Sequence, residues 1–224
     1  KADTAHVYPQ PLLTQLAFDS SGFVTLGFTD RTQWQGGNRN VPATGTSEGP
    51  LNGPFVTSFA SGDILLAAEQ ADGTYVVESG GAADGMGGTR TAPIRPQQPT
   101  AGEGPGGSEF YNDGQNLGIN RTTYIRHREV SFGSVVSLPG VEEVASTGYD
   151  TLEALNTGGL MWFNTTNGTP TRGYEETISA SSPNIPTTPT GPEFMKGGGL
   201  GAVALLGQAA PVEIGNRVWL DADL

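Results

Sequence analysis

The 224-residue chain carries a formal net charge of −12, and only 15% of its residues are charged, against roughly 25% in an average soluble domain. An acidic chain repels phosphate backbones, so the composition argues against a nucleic-acid partner. The absence of Cys excludes disulfides and thiolate metal sites, and no run approaches the roughly 20 apolar residues that span a bilayer.

The first predicted element is a hairpin over residues 12–31. Leu16 and Phe18 precede the turn at 19–22 (Asp-Ser-Ser-Gly), and Val24, Leu26 and Phe28 follow it. Because apolar residues alternate with polar or small ones on both sides of the turn, this pattern predicts two antiparallel strands with one buried face.

Three further hairpins are predicted along the chain. They cover residues 63–78 around a turn at 71–74, residues 133–146 around Pro139-Gly140, and residues 159–174 around a loop at 164–168. Residues 200–206 form a near-continuous apolar run, which predicts a strand buried on both faces. Helical periodicity is hard to find, so the predicted fold class is all-β with antiparallel hairpins.

Two stretches interrupt the hairpins, at residues 80–108 and 179–192. Gly, Pro, Ser and Thr are frequent there and large apolar residues are scarce, so both are predicted as surface loops. Hairpins separated by loops of unequal length favour a partial β-propeller-like domain over residues 1–210, because each blade is a small antiparallel sheet. A β-sandwich is the alternative, since it would give much of the same pattern.

The last fourteen residues, PVEIGNRVWLDADL, resemble the opening strand of an SdrD-B-like repeat, a Cna-B-related β-sandwich module of bacterial surface proteins. The resemblance implies that residues 211–224 begin a second, truncated module. In that family the strand leads into a D-x-D-x-N-G loop that binds calcium. Asp221 and Asp223 match its first two acidic positions, so the resemblance implies an incomplete calcium loop.

The preceding residues resemble the region upstream of such modules in large multidomain surface proteins of filamentous and photosynthetic bacteria. The matching pieces include LAFDSSGFVTLGFTDR, SGDILLA, GEGPGGSEFY, GGLMWFNTTNG and GGGLGAVALL. This resemblance implies a secreted, cell-surface location for an internal fragment of a long protein, and it carries no catalytic motif.

Catalytic chemistry has little support among the residues. The two histidines, His6 and His127, have no Gly-x-Ser-x-Gly element beside them, and they form no close pair that could hold zinc. The adjacent carboxylates at 142–143 and 175–176 would serve a glycosidase only if two of them converged across a cleft. Such adjacent pairs are more typical of solvated strand ends, so we expect a protein that is not an enzyme.

Oxygen-rich turns offer further candidate calcium sites on this acidic chain. Asp19 with Ser21 is one, and Asn112 with Asp113 and Asn116 is another. Asp and Asn also favour turns by bonding their own backbone, so the same residues have a purely structural interpretation.

The aromatic residues divide into two groups. Trp34 lies in a polar loop, where it could bind a sugar or fold back onto its own domain, whereas Trp162 and Trp219 lie in apolar strands and are predicted to be core. Three N-x-Ser/Thr sequons begin at Asn120, Asn164 and Asn167.

These observations predict a non-enzymatic structural or adhesive module of an extracellular bacterial surface or filament protein. Its expected partners are neighbouring domains or copies of itself, because a partial set of blades exposes strand edges that can pair. Surface glycans are a further candidate partner, and calcium is the candidate cofactor. The alternative function is a carbohydrate-binding or carbohydrate-active propeller domain.

Overall fold

Two four-stranded antiparallel sheets form the body of the protein. The computed structural model describes residues 4–6, 10–36, 56–58, 62–93, 104–113, 131–138, 140–149, 151–152, 158–177 and 200–206. The elements are β1 (Thr4–His6), β2 (Pro11–Phe18), β3 (Phe23–Asp30), α1 (Arg31–Gly36), β4 (Val56–Ser58), β5 (Asp63–Glu69), β6 (Tyr75–Val77), β7 (Ala82–Gly85), β8 (Gly88–Thr91), a 3₁₀ turn (Pro105–Gly107), β9 (Ser131–Ser137), β10 (Glu143–Tyr149), β11 (Gly158–Asn164) and β12 (Pro170–Thr177).

The first sheet has the strand order β2-β3-β5-β6. Its first hairpin turns at Asp19, whose Oδ1 accepts hydrogen bonds from the backbone N–H groups of Ser21 (2.8 Å) and Phe23 (3.1 Å). Gly22 completes the turn in the left-handed conformation, with φ +83°. The hairpins predicted at 12–31 and 63–78 are therefore confirmed.

The second sheet has the order β12-β11-β10-β9 and contains the other two predicted hairpins. Asn164 builds the turn between β11 and β12, because its Oδ1 accepts from the backbone N–H groups of Thr166 and Asn167. Bulges occur where β10 meets β9 and where β11 meets β12. Together the two sheets confirm the all-β, antiparallel fold class.

One apolar core lies between the inward faces of the two sheets. The first sheet contributes Phe23, Ile64 and Leu66, and the second contributes Val144, Met161 and Phe163. Their inward direction follows from the pleat, because residues two apart on a strand point to the same side. The sheets therefore depend on each other for burial.

Tyr111 lies at the centre of this core and is completely buried. Its ring packs edge-on against Phe110 and Phe163, with centroids 5.0 and 5.6 Å away, and its hydroxyl shares a 2.8 Å hydrogen bond with Thr25 Oγ1. Burial raises the pKa of the Tyr111 phenol above its ordinary value. A segment outside both sheets thus fills the space between them.

The two sheets approach most closely where β3 crosses β9. A Cβ atom on Gly27 would overlap the carbonyl oxygen of Gly133, so both positions need glycine. The bulge in β2 turns Thr14 toward the same place, and its hydroxyl donates to the carbonyl of Gly133 at 2.7 Å. A backbone hydrogen bond of 2.8 Å from Gly62 N–H to the Ser131 carbonyl ties the sheets together nearby.

Smaller elements surround the sheets. β1 and β4 form a parallel pair, and α1 begins after Asp30, whose Oδ1 accepts from the backbone N–H of Thr32 at 2.6 Å. β7 and β8 form a hairpin inside the stretch at 80–108 that was predicted as a surface loop. Ala83 on β7 belongs to the core, so this part of the prediction is wrong.

The prediction of a strand at 200–206 is also wrong. This segment has no regular secondary structure and leaves most of its apolar side chains exposed, with Leu206 96% accessible. Its anchor is polar: Val203 N–H donates to Ser134 Oγ at 2.6 Å, and the Val203 carbonyl accepts from Gln15 Nε2 at 3.2 Å.

The propeller-like arrangement and the strand at 211–224 both stay predictions. Each four-stranded sheet has the size of a propeller blade, but the described ranges contain no closed ring of blades. The strand predicted at 211–224, with Trp219, lies outside the described residues.

Candidate interaction surfaces

Strand β2 turns its large apolar side chains away from the core. Leu16 and Phe18 are 46% and 58% exposed, whereas Ala17 between them is buried against the second sheet. The hairpin does have one buried face, but the face with the larger apolar residues is the outward one. Small residues face inward here because the sheets come so close at Gly27 and Gly133.

The neighbouring strands continue this outward arrangement. Cross-strand register places Leu16 beside Leu26 and Leu26 beside Leu65, and a second row joins Phe18, Val24, Ala67 and Val77. We name this surface the apolar face; it comprises Leu13, Leu16, Phe18, Val24, Leu26, Phe28, Leu65, Ala67, Tyr75 and Val77. Its most exposed members lie on the two edge strands β2 and β6, whereas on the inner strands Val24 and Ala67 are buried and the other members are partly buried.

The apolar face has charge only at its margins. Asp63 and Glu69 lie at the two ends of β5, and the register between them carries Leu65 and Ala67. Phe18 and Tyr75 meet edge-on across the end of the face, with ring centroids 6.1 Å apart. A surface of this kind can recognise another apolar surface, because it offers almost no hydrogen-bonding groups to a polar ligand.

The outward side of the second sheet is different in character. Arg172 lies over the ring of Trp162, with its guanidinium carbon 4.7 Å from the ring centroid, and donates to Glu143 Oε2 at 2.7 Å. Thr171 donates to the other oxygen of the same carboxylate at 2.8 Å. Tyr174 is 52% exposed beside them on β12. We name this surface the mixed face; it comprises Glu143, Leu160, Trp162, Thr171, Arg172 and Tyr174.

The predicted calcium turns do not fit a calcium site where they are described. Asp19 Oδ1 already accepts two backbone N–H groups of its own turn, and Oδ2 pairs with Arg90. Asn112 and Asp113 are buried side chains rather than an exposed turn. Asn116, Asp221 and Asp223 lie outside the described residues, so a calcium loop at Asp221 and Asp223 stays a prediction. Within the described ranges, no group of three or more His, Asp or Glu could hold a metal ion.

The paired carboxylates do not come together on the second sheet. Glu143 pairs with Asn164 and Glu175 pairs with Gly159, so the two acids are separated by five residues along β11. This separation is about 17 Å at the usual rise per residue, well beyond the roughly 5–10 Å of a glycosidase pair. Glu142 is exposed and accepts from Thr166 Oγ1, as expected of a solvated strand end.

The predictions for the two described tryptophans had different outcomes. Trp34 folds back from α1, and its Nε1 donates to Thr29 Oγ1 at 2.7 Å, which confirms the structural interpretation. The core prediction for Trp162 is wrong, because its side chain lies half-buried on the mixed face.

The sequon residues Asn164 and Asn167 both use their side-chain oxygens within the β11–β12 turn. His127 and Asn120 fall outside the described ranges.

Sequence reasoning missed the buried segment around Tyr111. Glu109, Phe110 and Asp113 are also buried, yet they follow a Gly- and Pro-rich stretch that was predicted to contribute nothing to the core. The adjacent aromatic pair Phe110-Tyr111 was the available signal, because two aromatic rings can bury a large apolar area without belonging to a strand.

Sequence comparison finds three related proteins from one organism. No family model matches the chain, and no solved structure matches it. Colossin-A of Dictyostelium discoideum is 29% identical over 216 residues, covering 96% of this chain. Colossin-C is 27% identical over 216 residues, covering 95%, and Colossin-B is 31% identical over 161 residues, covering 72%; both come from the same organism.

The chain spans a small part of these curated relatives: 2% of Colossin-A, 18% of Colossin-C and 4% of Colossin-B. Similarity to Colossin-A and Colossin-C nevertheless extends over nearly all of the present chain. The predicted link to bacterial surface proteins and SdrD-B-like repeats stays a prediction. The six-residue α1 is too short to cross a bilayer, and no other helix in the described ranges is long and apolar enough to do so.

Proposed function

We propose that this chain is a non-enzymatic structural module of an extracellular protein, and that it contacts other protein surfaces through the apolar face. The observation that carries the proposal is the outward direction of Leu16 and Phe18 on β2. An apolar surface that remains in water is costly unless a partner covers it.

The size of the face supports this role. Four strands about 4.8 Å apart with a rise of about 3.3 Å per residue give the whole face an outline of about 400 Å². Within it, Val24 and Ala67 are buried, and the most exposed side chains belong to β2 and β6. That area is typical of the largest apolar patch on a monomeric protein, which is often a functional contact. Isolated exposed leucines would need no such explanation.

The composition supports an extracellular location. Charged residues make up 15% of the chain, so Thr, Ser, Asn, Gln and Gly must provide much of the polar surface. The long separation between Glu143 and Glu175 gives no support to a hydrolytic pair on the second sheet.

Lysine substitutions test whether the apolar face is an interaction surface rather than part of the core. Leu16→Lys and Phe18→Lys are expected to change the free energy of unfolding by less than about 1 kcal/mol, because surface substitutions are usually nearly neutral. Both should lower the fluorescence of a bound apolar dye such as ANS. Urea unfolding of each variant supplies the stability.

Leu66→Lys is the matched control on the inward side of the same sheet. Leu66 is 1% exposed, so this variant should lose more than about 4 kcal/mol or fail to fold. If Phe18→Lys were as destabilising as Leu66→Lys, the apolar face would be core and the proposal would be wrong.

A second candidate function is glycan binding at the mixed face. Tyr174 offers an exposed aromatic surface, and the Arg172–Glu143–Thr171 network holds hydrogen-bonding groups in fixed positions near it. Sites for small polar ligands combine aromatic surfaces with a few placed polar groups.

Calorimetric titration with soluble glucans, xylans and chitooligosaccharides tests this candidate. Binding should be lost in Tyr174→Ala and Arg172→Ala and retained in Phe18→Lys, which alters the opposite side of the protein. If no polysaccharide in the panel gives a heat of binding, the candidate function of glycan binding at the mixed face is wrong.

A further inference from the structure

We infer that the apolar face binds the same face of a second copy of this chain. This inference rests on the proposed function and names the partner of the same surface. It goes beyond pairing through strand edges, because side chains on a sheet face, rather than backbone groups on an edge, would make the contact.

The chemistry of the face limits what can cover it. The row of Leu16, Leu26 and Leu65 crosses the face from the edge strand β2 inward, and these side chains carry no polar atoms. A glycan or a charged ligand would lose its hydration without gaining hydrogen bonds there. The carboxylates of Asp63 and Glu69 at the margins disfavour an acidic lipid headgroup. A second apolar protein surface remains.

The geometry makes the face complementary to itself. Twisted antiparallel sheets pack face to face about 10 Å apart when both carry large interdigitating apolar side chains. This chain already packs two sheets in that manner around its own core. A two-fold axis through the row of Leu16, Leu26 and Leu65 would place the same leucines opposite one another, and a two-fold contact closes at two copies.

The area predicts a weak pair. A face of about 400 Å² per copy is about half of the roughly 800 Å² per partner found in stable complexes. The dissociation constant should therefore be weaker than about 1 µM. Many copies held close together would associate more strongly than free chains, because a high effective concentration replaces part of the affinity.

Charge gives the pair a characteristic salt dependence. Each copy carries a formal net charge of −12, so two copies repel each other at low ionic strength. Salt shortens the range of this repulsion to about 8 Å at physiological ionic strength and less above it. Association of two copies should therefore strengthen with added salt. Attraction to a basic partner would weaken with added salt.

Sedimentation equilibrium of the whole chain, from about 10 µM to about 1 mM at low and high salt, measures the pair directly. The average mass should rise toward twice the monomer mass, and more steeply at high salt. Leu16→Lys and Phe18→Thr should each weaken association at least about tenfold, because each leaves a polar group in an apolar contact. Phe18→Thr retains a β-branched side chain that suits a strand, which protects folding.

Tyr174→Lys is the matched control. Tyr174 is as exposed as Phe18 but lies on the mixed face, so its substitution should leave association unchanged. A monomer at every concentration and salt would overturn the inference. So would a pair that survives both Leu16→Lys and Phe18→Thr, or a mass that grows beyond two copies.

The two proposals fail in different ways. If Leu16→Lys is folded and stable but the parent chain is always monomeric, the apolar face is exposed and serves a different protein partner. If Leu16→Lys unfolds the chain, the face is core and the proposed function itself fails.

Discussion

Both sheets carry large apolar side chains on their outward faces, and the two faces differ in how these side chains are covered. On the mixed face, Trp162 is covered by Arg172, and Arg172 is held in turn by Glu143. On the apolar face, Leu16 and Phe18 stay about half exposed. Both sheets bury their inward sides in one core.

The difference concerns single side chains rather than whole faces. On the second sheet, Arg172 covers Trp162, although Tyr174 on the same face is 52% exposed. Strand β5 of the first sheet carries no charged residue between Asp63 and Glu69. The first sheet therefore offers the more apolar contact surface of the two.

The largest effect is expected in the core that both sheets share. Phe163→Ala should lower the free energy of unfolding by about 3–5 kcal/mol, because it removes a completely buried ring beside Tyr111. Urea unfolding followed by fluorescence and by circular dichroism should give one coincident transition. Two separate transitions would show that the sheets do not share a core, and the comparison between their faces would lose its basis.

The next effect concerns the crossing that forces small residues inward. Gly27→Ala should cost about 3 kcal/mol, because its Cβ would overlap the Gly133 carbonyl and push the sheets apart. Gly140→Ala is the control, since Gly140 has φ +79° but open space around it, and backbone strain alone should cost about 1 kcal/mol. Equal losses in the two variants, measured by urea unfolding, would contradict the close approach.

Tyr111→Phe should cost about 1–2 kcal/mol at neutral pH, because it leaves the buried Thr25 hydroxyl without this partner. Burial raises the pKa of Tyr111 in the folded state, so the unfolded state loses its phenol proton first as pH rises. Stability should therefore be fully present below about pH 10 and fall above it. The alkaline loss should be smaller in Tyr111→Phe, and an identical pH profile for both proteins would argue against a buried phenol.

The smallest effect is expected on the mixed face. Arg172→Ala should change stability by no more than about 1 kcal/mol, because the Arg172 side chain is 57% exposed and its pairing with Glu143 is screened by salt. It should, however, increase the accessibility of Trp162 to a fluorescence quencher. Unchanged quenching would mean that Arg172 does not cover the ring, and the contrast between the two faces would weaken.

Local signals predicted the hairpins well. Asp19 and Asn164 set their turns through hydrogen bonds to residues two to four positions away, which the sequence shows directly. The all-β class follows from the same short-range pattern. The turn at Gly73 is confirmed in the same way, with φ +81°.

Long-range packing was not predictable in the same way. A period of two divides β2 into two faces but does not say which one meets the second sheet; the approach of Gly27 to Gly133 decides it. Trp162 was assigned to the core because its strand is apolar on both sides of the residue, yet Arg172 on the next strand covers it. Partners distant in sequence determine both outcomes.

Hydroxyl-radical footprinting of the dilute chain tests the central claim most directly. Phe18 and Phe23 flank the same turn and share one intrinsic reactivity, but they are 58% and 1% exposed. The account predicts that Phe18 is oxidised several times faster than Phe23, and that its rate falls as the chain is concentrated in high salt. Equal protection of the two phenylalanines in dilute solution would contradict an exposed apolar face.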